Sequence, residues 1–206
     1  MENLDSLKDI WKNQEESKIR FSESDINKMV QKKSSSIVKW ILIISLLEFI
    51  LPNLVYLFTD FESTRAFYQQ YGLSNVMMFY SIIHVVIILG FIYVFYKNYR
   101  NISAESTVKV LLGNILKTRR TVKNYIYYNL TIMAIIGLNM FYAVYSSEDF
   151  INGLNEGANM TTMWIVSIIL LLLALSIFWL FYRIIYGIFL KKLKSNYKAL
   201  SSKNNL

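Results

Sequence analysis

Three polar side chains stand inside long apolar stretches of this chain: Glu48, His84 and Asn139. They are the residues whose types and positions could do chemistry. An ionised carboxylate in hydrocarbon costs on the order of several kcal/mol, so Glu48 must face a protein interior, find a partner or be neutral. It lies eleven residues from either end of the apolar stretch 37–59, which predicts a place near the middle of a membrane. His84, eight residues into the stretch 76–96, comes to a depth within ~4–5 Å of it at the helical rise. The two are expected to hydrogen-bond across a helical hairpin, with Asn139 able to join them. Pro52, one turn beyond Glu48, leaves the Glu48 carbonyl without its helical donor and can kink the helix. Two readings of the trio stay open. One is a proton- or cation-responsive site. The other is an interhelical polar clasp that fixes helix register, worth ~0.6 kcal/mol and at most ~2 kcal/mol.

Other chemistry has little to work with. The chain has no cysteine, which excludes disulfides, thiolate metal sites and cysteine nucleophiles, and a single histidine. It has no paired-carboxylate motif, no Gly-rich phosphate loop, no Gly-x-Ser-x-Gly and no ligand cluster at metal spacing. The expectation is a protein that is not an enzyme, with no cofactor and no metal.

The elements that must position these residues are four apolar segments, 37–59, 76–96, 125–145 and 163–183. A hydrocarbon core of ~30 Å needs ~20 apolar residues of helix, and the segments lack the period-2 alternation of barrel strands. The fold expected is all-α, an integral membrane four-helix bundle with amphipathic cytoplasmic helices. A composition 54% hydrophobic and 16% aromatic agrees. The organisation reads as cytoplasmic amphipathic helices (1–36), a first transmembrane hairpin (37–96), a basic helical connection (97–124), a second hairpin (125–183) and a basic tail (184–206). Val38-Lys39 matches Val122-Lys123, and Phe95-Tyr96-Lys97 matches Phe181-Tyr182-Arg183. These matches suggest two tandem hairpins, although any span carries interfacial aromatics and a snorkelling cation.

Charge sets the orientation. Eight Lys and Arg fall in residues 1–39, seven in 97–124 and five after 190, whereas 60–75 and 147–162 hold only Arg65 against Asp60, Glu62, Glu148, Asp149 and Glu156. Basic segments stay inside, so both termini and the middle connection are expected in the cytoplasm. Lys97, Arg119, Arg120, Arg183, Lys191 and Lys192 are expected at lipid headgroups. No basic patch is interleaved with base-stacking aromatics, so nucleic acid is not an expected partner.

Amphipathic pieces lie outside the spans. Leu4, Leu7, Ile10 and Trp11 share one face of a predicted helix over 3–15. Ser22-Glu23-Ser24-Asp25 reads as a capping signal for a helix carrying Ile26, Met29 and Val30 into the first span. Ser103-Ala104-Glu105 reads as the start of another, with Val108, Leu111, Leu112, Ile115 and Leu116 at helical spacing. Ile184, Ile185, Ile188, Phe189 and Leu193 continue the last span. These pieces could pack on one another, lie in the headgroup layer, or dock on a protein partner through Trp11 and its neighbours.

The stretch Leu7-Lys8-Asp9-Ile10-Trp11-Lys12-Asn13-Gln14 ahead of four spans, with the basic run 115–123 leading into the third, resembles a group of small inner-membrane proteins of Bacteroidota. Such proteins are often labelled β-carotene 15,15'-monooxygenases. Authentic carotenoid oxygenases are β-propellers that hold iron with four histidines, and this chain offers His84 alone. The resemblance also implies proximity to sigma-factor regulation, which suits an anti-sigma-like role. The function expected is a non-enzymatic, membrane-anchored regulatory or scaffolding factor of a bacterial inner membrane, holding a cytosolic or membrane protein partner. The alternative is a small transporter or channel component with Glu48 as its ion-sensitive group, for which a homo-oligomer is natural.

Overall fold

The computed structural model describes residues 22–59, 61–104, 107–154 and 159–203. Its elements are all helices: α1 (Glu23–Leu57), α2 (Phe61–Gln70), α3 (Ser74–Ala104), α4 (Val108–Tyr145), α5 (Glu148–Asn152) and α6 (Met160–Lys203). Local chemistry sets their starts. The Ser22 hydroxyl accepts from the Ser24 amide at 3.3 Å while the Asp25 carboxylate accepts from the Ser22 amide at 3.2 Å, a reciprocal cap that opens α1. The Asn159 side chain accepts from the Thr161 amide at 2.9 Å and opens α6. The α2–α3 turn rests on Gly72, whose φ of 65° is a conformation that a Cβ disfavours.

Four helices, α1, α3, α4 and α6, are long and apolar enough to cross a membrane. They form a bundle in which each packs on its chain neighbour and α1 closes the ring against α6, with α1 and α4 meeting across the diagonal. Connections between antiparallel neighbours are short, so the topology is up-down-up-down. Two ends follow. The basic end holds the starts of α1 and α4 and the finishes of α3 and α6; the acidic end holds α2 and α5.

The helices outrun any bilayer. At 38 residues α4 is about 57 Å long, and at 44 residues α6 is about 66 Å, against a hydrocarbon core of ~30 Å. The surplus lies at the basic end, and so does the core. Val38, Ile41, Phe95, Ile102, Leu112, Ile115, Val122, Leu193 and Leu200 are all buried there. On α6 the buried positions Tyr186, Leu193 and Leu200 recur every seven residues, the spacing of a packed helical seam. A polar stripe on α1 ties this region together. The Gln31 amide donates to the Ile102 and Ser103 carbonyls, two of the unsatisfied acceptors that end α3, at 3.1 and 3.2 Å. One turn on, Ser34 accepts from the Asn196 amide at 3.0 Å.

Toward the acidic end the packing loosens. Every described side chain of α1 from Ile50 onward is exposed, and most of α6 between Ile168 and Phe181 is exposed too. The α4–α6 pair stays close, with Leu171 packed where Gly137 has no side chain.

Several expectations change. Ser103 and Ala104 end α3 rather than starting the next helix, because Ile102 is drawn into the core and holds α3 helical beyond it; α4 begins at Val108. Of the apolar face expected to continue α6, Leu193 is buried and Ile185 and Phe189 pack against the core, but Ile184 and Ile188 are exposed and Tyr186 takes a buried place among them. The connection after the first span contains a ten-residue helix, α2. Of the matched positions, Val38 and Val122 are equally buried, but Phe95 is fully buried and Phe181 is 46% exposed.

If the basic-end core holds the fold, Ile115→Ala should destabilise by about 2–5 kcal/mol, and Leu173→Ala, at a site 56% exposed, by less than about 1 kcal/mol. Thermal unfolding of the two variants in one detergent is the check; equal losses would refute the assignment.

Candidate functional site

The site grows from one face of α4. Tyr125 and Tyr128 are three residues apart and so project on the same side of the helix. The Tyr125 hydroxyl donates to Glu48 Oε2 at 2.6 Å, joining α4 to α1 across the bundle diagonal. Tyr128 pairs with His84 Nδ1 at 3.2 Å, and the two rings stack with centroids 5.7 Å apart. Phe91 of α3 lies against both tyrosines, at 5.4 Å from Tyr125 and 5.9 Å from Tyr128, and so separates the two polar pairs.

Glu48 thus sits in an aromatic box. Phe95 meets the Tyr125 ring edge-on at 5.6 Å, and Tyr182 and Tyr186 of α6 approach it at 6.4 and 6.0 Å. Tyr186 is fully buried and its hydroxyl lies near the same carboxylate, yet neither it nor Glu48 Oε1 has a hydrogen-bond partner among the described residues. A buried oxygen without a donor costs about 1–3 kcal/mol. The Tyr125 bond is therefore what holds Glu48 in place.

The expected clasp between Glu48 and His84 does not form. Each takes a different tyrosine, and Asn139 bonds back to the Ile135 carbonyl of its own helix at 2.9 Å. The depths are close, since the two tyrosines stand three residues or about 4.5 Å apart along α4, but the α4 face comes between the two groups: Tyr125 takes Glu48, Tyr128 takes His84, and Phe91 separates the pairs. Through Tyr125, Glu48 lies level with the basic-side limit of the α4 apolar stretch, not at its middle. Four other polar side chains of these stretches bond locally, Ser45 to Leu42, Asn53 to Phe49, Asn129 to Tyr125 and Ser176 to Leu172, each to a carbonyl, while the Tyr145 and Ser167 hydroxyls pair between α4 and α6.

Of the cations expected at headgroups, Lys97, Arg120, Lys191 and Lys192 are exposed at the basic end. Arg183 is also exposed and covers the Trp179 ring at 5.0 Å. Arg119 is half-buried, its Nε without a partner among the described residues. Leu4, Leu7, Ile10 and Trp11 lie outside the described residues. Among those described, no three His, Asp or Glu side chains come together as a metal site would need. The residues that sequence reasoning missed are the tyrosines. Their signal was present: Tyr125 with Tyr128, and Tyr182 with Tyr186, repeat at helical spacing in apolar surroundings, where a phenol seeks a partner.

Residues 24–205 match the model of the family described as Domain of unknown function (DUF8845), and the chain belongs to that family. No curated protein and no solved structure matches it.

Tyr125→Phe removes the 2.6 Å hydrogen bond that Glu48 accepts and should destabilise by about 1–3 kcal/mol, whereas Tyr128→Phe should cost less than about 1 kcal/mol. A double-mutant cycle of Glu48→Gln with Tyr125→Phe should show coupling of about 1 kcal/mol, and one of Glu48→Gln with His84→Asn should be additive within about 0.5 kcal/mol. Coupling in the second cycle and none in the first would contradict the pairing described.

Proposed function

We propose that this member of the family is a multi-pass protein of a bacterial inner membrane, with both termini and the basic end of the bundle in the cytoplasm. It acts there without catalysis, as a membrane-anchored scaffold or regulatory factor. The observation that carries the reading is the location of the core. Ile102, Leu112, Ile115, Val122, Leu193 and Leu200 are buried beyond the apolar stretches and are joined by Val38, Ile41 and Phe95 at the basic edge of those stretches, in four helices stitched by Gln31 and Ser34, while the apolar stretches are largely exposed toward the acidic end, as lipid-facing surface should be. A packed extension of this kind offers a cytosolic partner a rigid surface outside the membrane. Leu4, Leu7, Ile10 and Trp11 precede the family-matched region and would serve as an added anchor for that partner. The anti-sigma-like role implied by the resemblance is one form of this reading.

A second reading rests on Glu48. A carboxylate with one oxygen unpartnered in an aromatic box could serve a small transporter or channel component. The local bonding of Ser45, Asn53, Asn129, Asn139 and Ser176 favours the first reading, because an ion path needs a continuous run of polar groups that face one another.

Two experiments test the proposal. The chain lacks cysteine, so single replacements report topology on a clean background. In intact cells, Thr162→Cys should react with an impermeant maleimide and Ser202→Cys should react only after lysis; the reverse pattern would overturn the orientation. For the role, a chain lacking residues 1–21 spares the packed helices. A specific partner captured by the wild type should be lost from this deletion and from Trp11→Ala, and kept by Glu48→Gln. A partner indifferent to the first two variants, together with flux abolished by Glu48→Gln, would replace scaffolding with transport.

A further inference from the structure

The four long helices are starved of acid. α1 carries four Lys, α3 one Lys and one Arg, α4 three Lys and two Arg, and α6 five Lys and one Arg, while their acids are Glu23, Asp25 and Glu48 alone. A self-sufficient soluble surface mixes both signs. Here α3, α4 and α6 have no carboxylate at all, so along these helices the positive charge of the basic end has no acid of the same helix beside it.

One place at that end gathers part of that charge. A groove of about 360 Å³ between α1 and α6 is lined by Lys33, Ser36, Ile37, Lys192, Ser195 and Asn196. Its floor is fixed by the Asn196–Ser34 hydrogen bond of 3.0 Å, with Ser34 fully buried. The lining is two cations, two hydroxyls and an amide, with no carboxylate. Phosphate oxygens are acceptors of both ammonium and hydroxyl hydrogens, so the set suits a phosphate.

The groove also has a direction. On α1, Lys33, Ser36, Ile37 and Trp40 fall at spacings of three and four, which puts Trp40 on the same face one turn nearer the apolar stretch. On α6, Ile188 stands one turn from Lys192 on the same side. Trp40 is 54% exposed and Ile188 53% exposed. The strip therefore changes from cationic and hydroxylic to apolar in the direction of the bilayer, in the order of a headgroup and its acyl chains, with an interfacial Trp at the boundary.

We propose that the α1–α6 groove binds the phosphate headgroup of an anionic phospholipid. Lys33 and Lys192 meet the phosphate, Ser36 and Ser195 donate to its oxygens, and the acyl chains run over Trp40 and Ile188. The assignment rests on the membrane placement proposed above but not on any protein partner. A lipid held between the first and last long helices would clasp the two ends of the ring.

The test is native mass spectrometry of the delipidated full-length protein in detergent, titrated with phosphatidylglycerol or phosphatidylcholine. A single phosphatidylglycerol should bind at least fivefold more tightly than phosphatidylcholine. Lys33→Gln with Lys192→Gln should weaken it about thirtyfold, in line with the contribution of two basic residues at an anionic surface. Lys117→Gln with Lys123→Gln, the same charge change on α4, should weaken it less than twofold. Trp40→Ala should weaken the lipid, and millimolar inorganic phosphate should leave it bound. Equal weakening by both lysine pairs would show diffuse charge attraction and overturn the site, as would no weakening by either. Displacement by inorganic phosphate, with Trp40→Ala silent, would overturn the lipid in favour of a soluble phosphate. Because the assay reads binding to the isolated chain, it succeeds or fails independently of partner capture.

Discussion

Side-chain packing among α1, α3, α4 and α6 at the basic end is the interaction from which the other features follow. Inside a bilayer, apolar side chains gain little by leaving lipid for one another, so the apolar stretches supply weak drive for mutual packing. Beyond the bilayer the full hydrophobic effect returns. The burial follows that pattern: Ile115, Val122, Leu193 and Leu200 are buried beyond the apolar stretches, and the stretches themselves are largely open toward the acidic end.

The Glu48 box sits where that core gives way to the apolar stretches. Tyr125 belongs to both regions: its ring packs with Phe95 and Tyr186 as a core residue, and its hydroxyl satisfies the one carboxylate of the apolar stretches. A diagonal bond between α1 and α4 is an unusual link in a four-helix ring, since diagonal helices touch least. It fixes the vertical register of α1 against α4, which short outer connections alone leave free. From Ile50 onward α1 carries Pro52 and exposes every described side chain, so Glu48 and Phe49 mark the last point at which α1 is held by the bundle.

Charge and packing are arranged together at the basic end. The stitching groups, Gln31, Ser34, Ser35, Ser103 and Asn196, are all neutral, and the cations are left on the outside. Neutral hydrogen bonds hold the helices without consuming the positive charge, which stays available for an anionic surface.

Much was legible before any coordinates. Hydropathy alone determined that four helices are long enough to cross a membrane, because the requirement is one of length and composition. The caps at Ser22 and the apolar face from Leu111 to Ile115 were readable because they depend on neighbours three and four residues away. The repeat of Val38 and Val122 was readable in the same local sense, although the unequal burial of Phe95 and Phe181 was not. What only the tertiary structure decided is which polar residue meets which. Glu48, His84 and Asn139 could be placed at a depth, but depth along two helices does not say which face of a third comes between them, and the α4 face gave Tyr125 to Glu48 and Tyr128 to His84. Local sequence sets the helix, its ends and its faces; which face meets which neighbour is set by the whole core at once, and no stretch of sequence carries it.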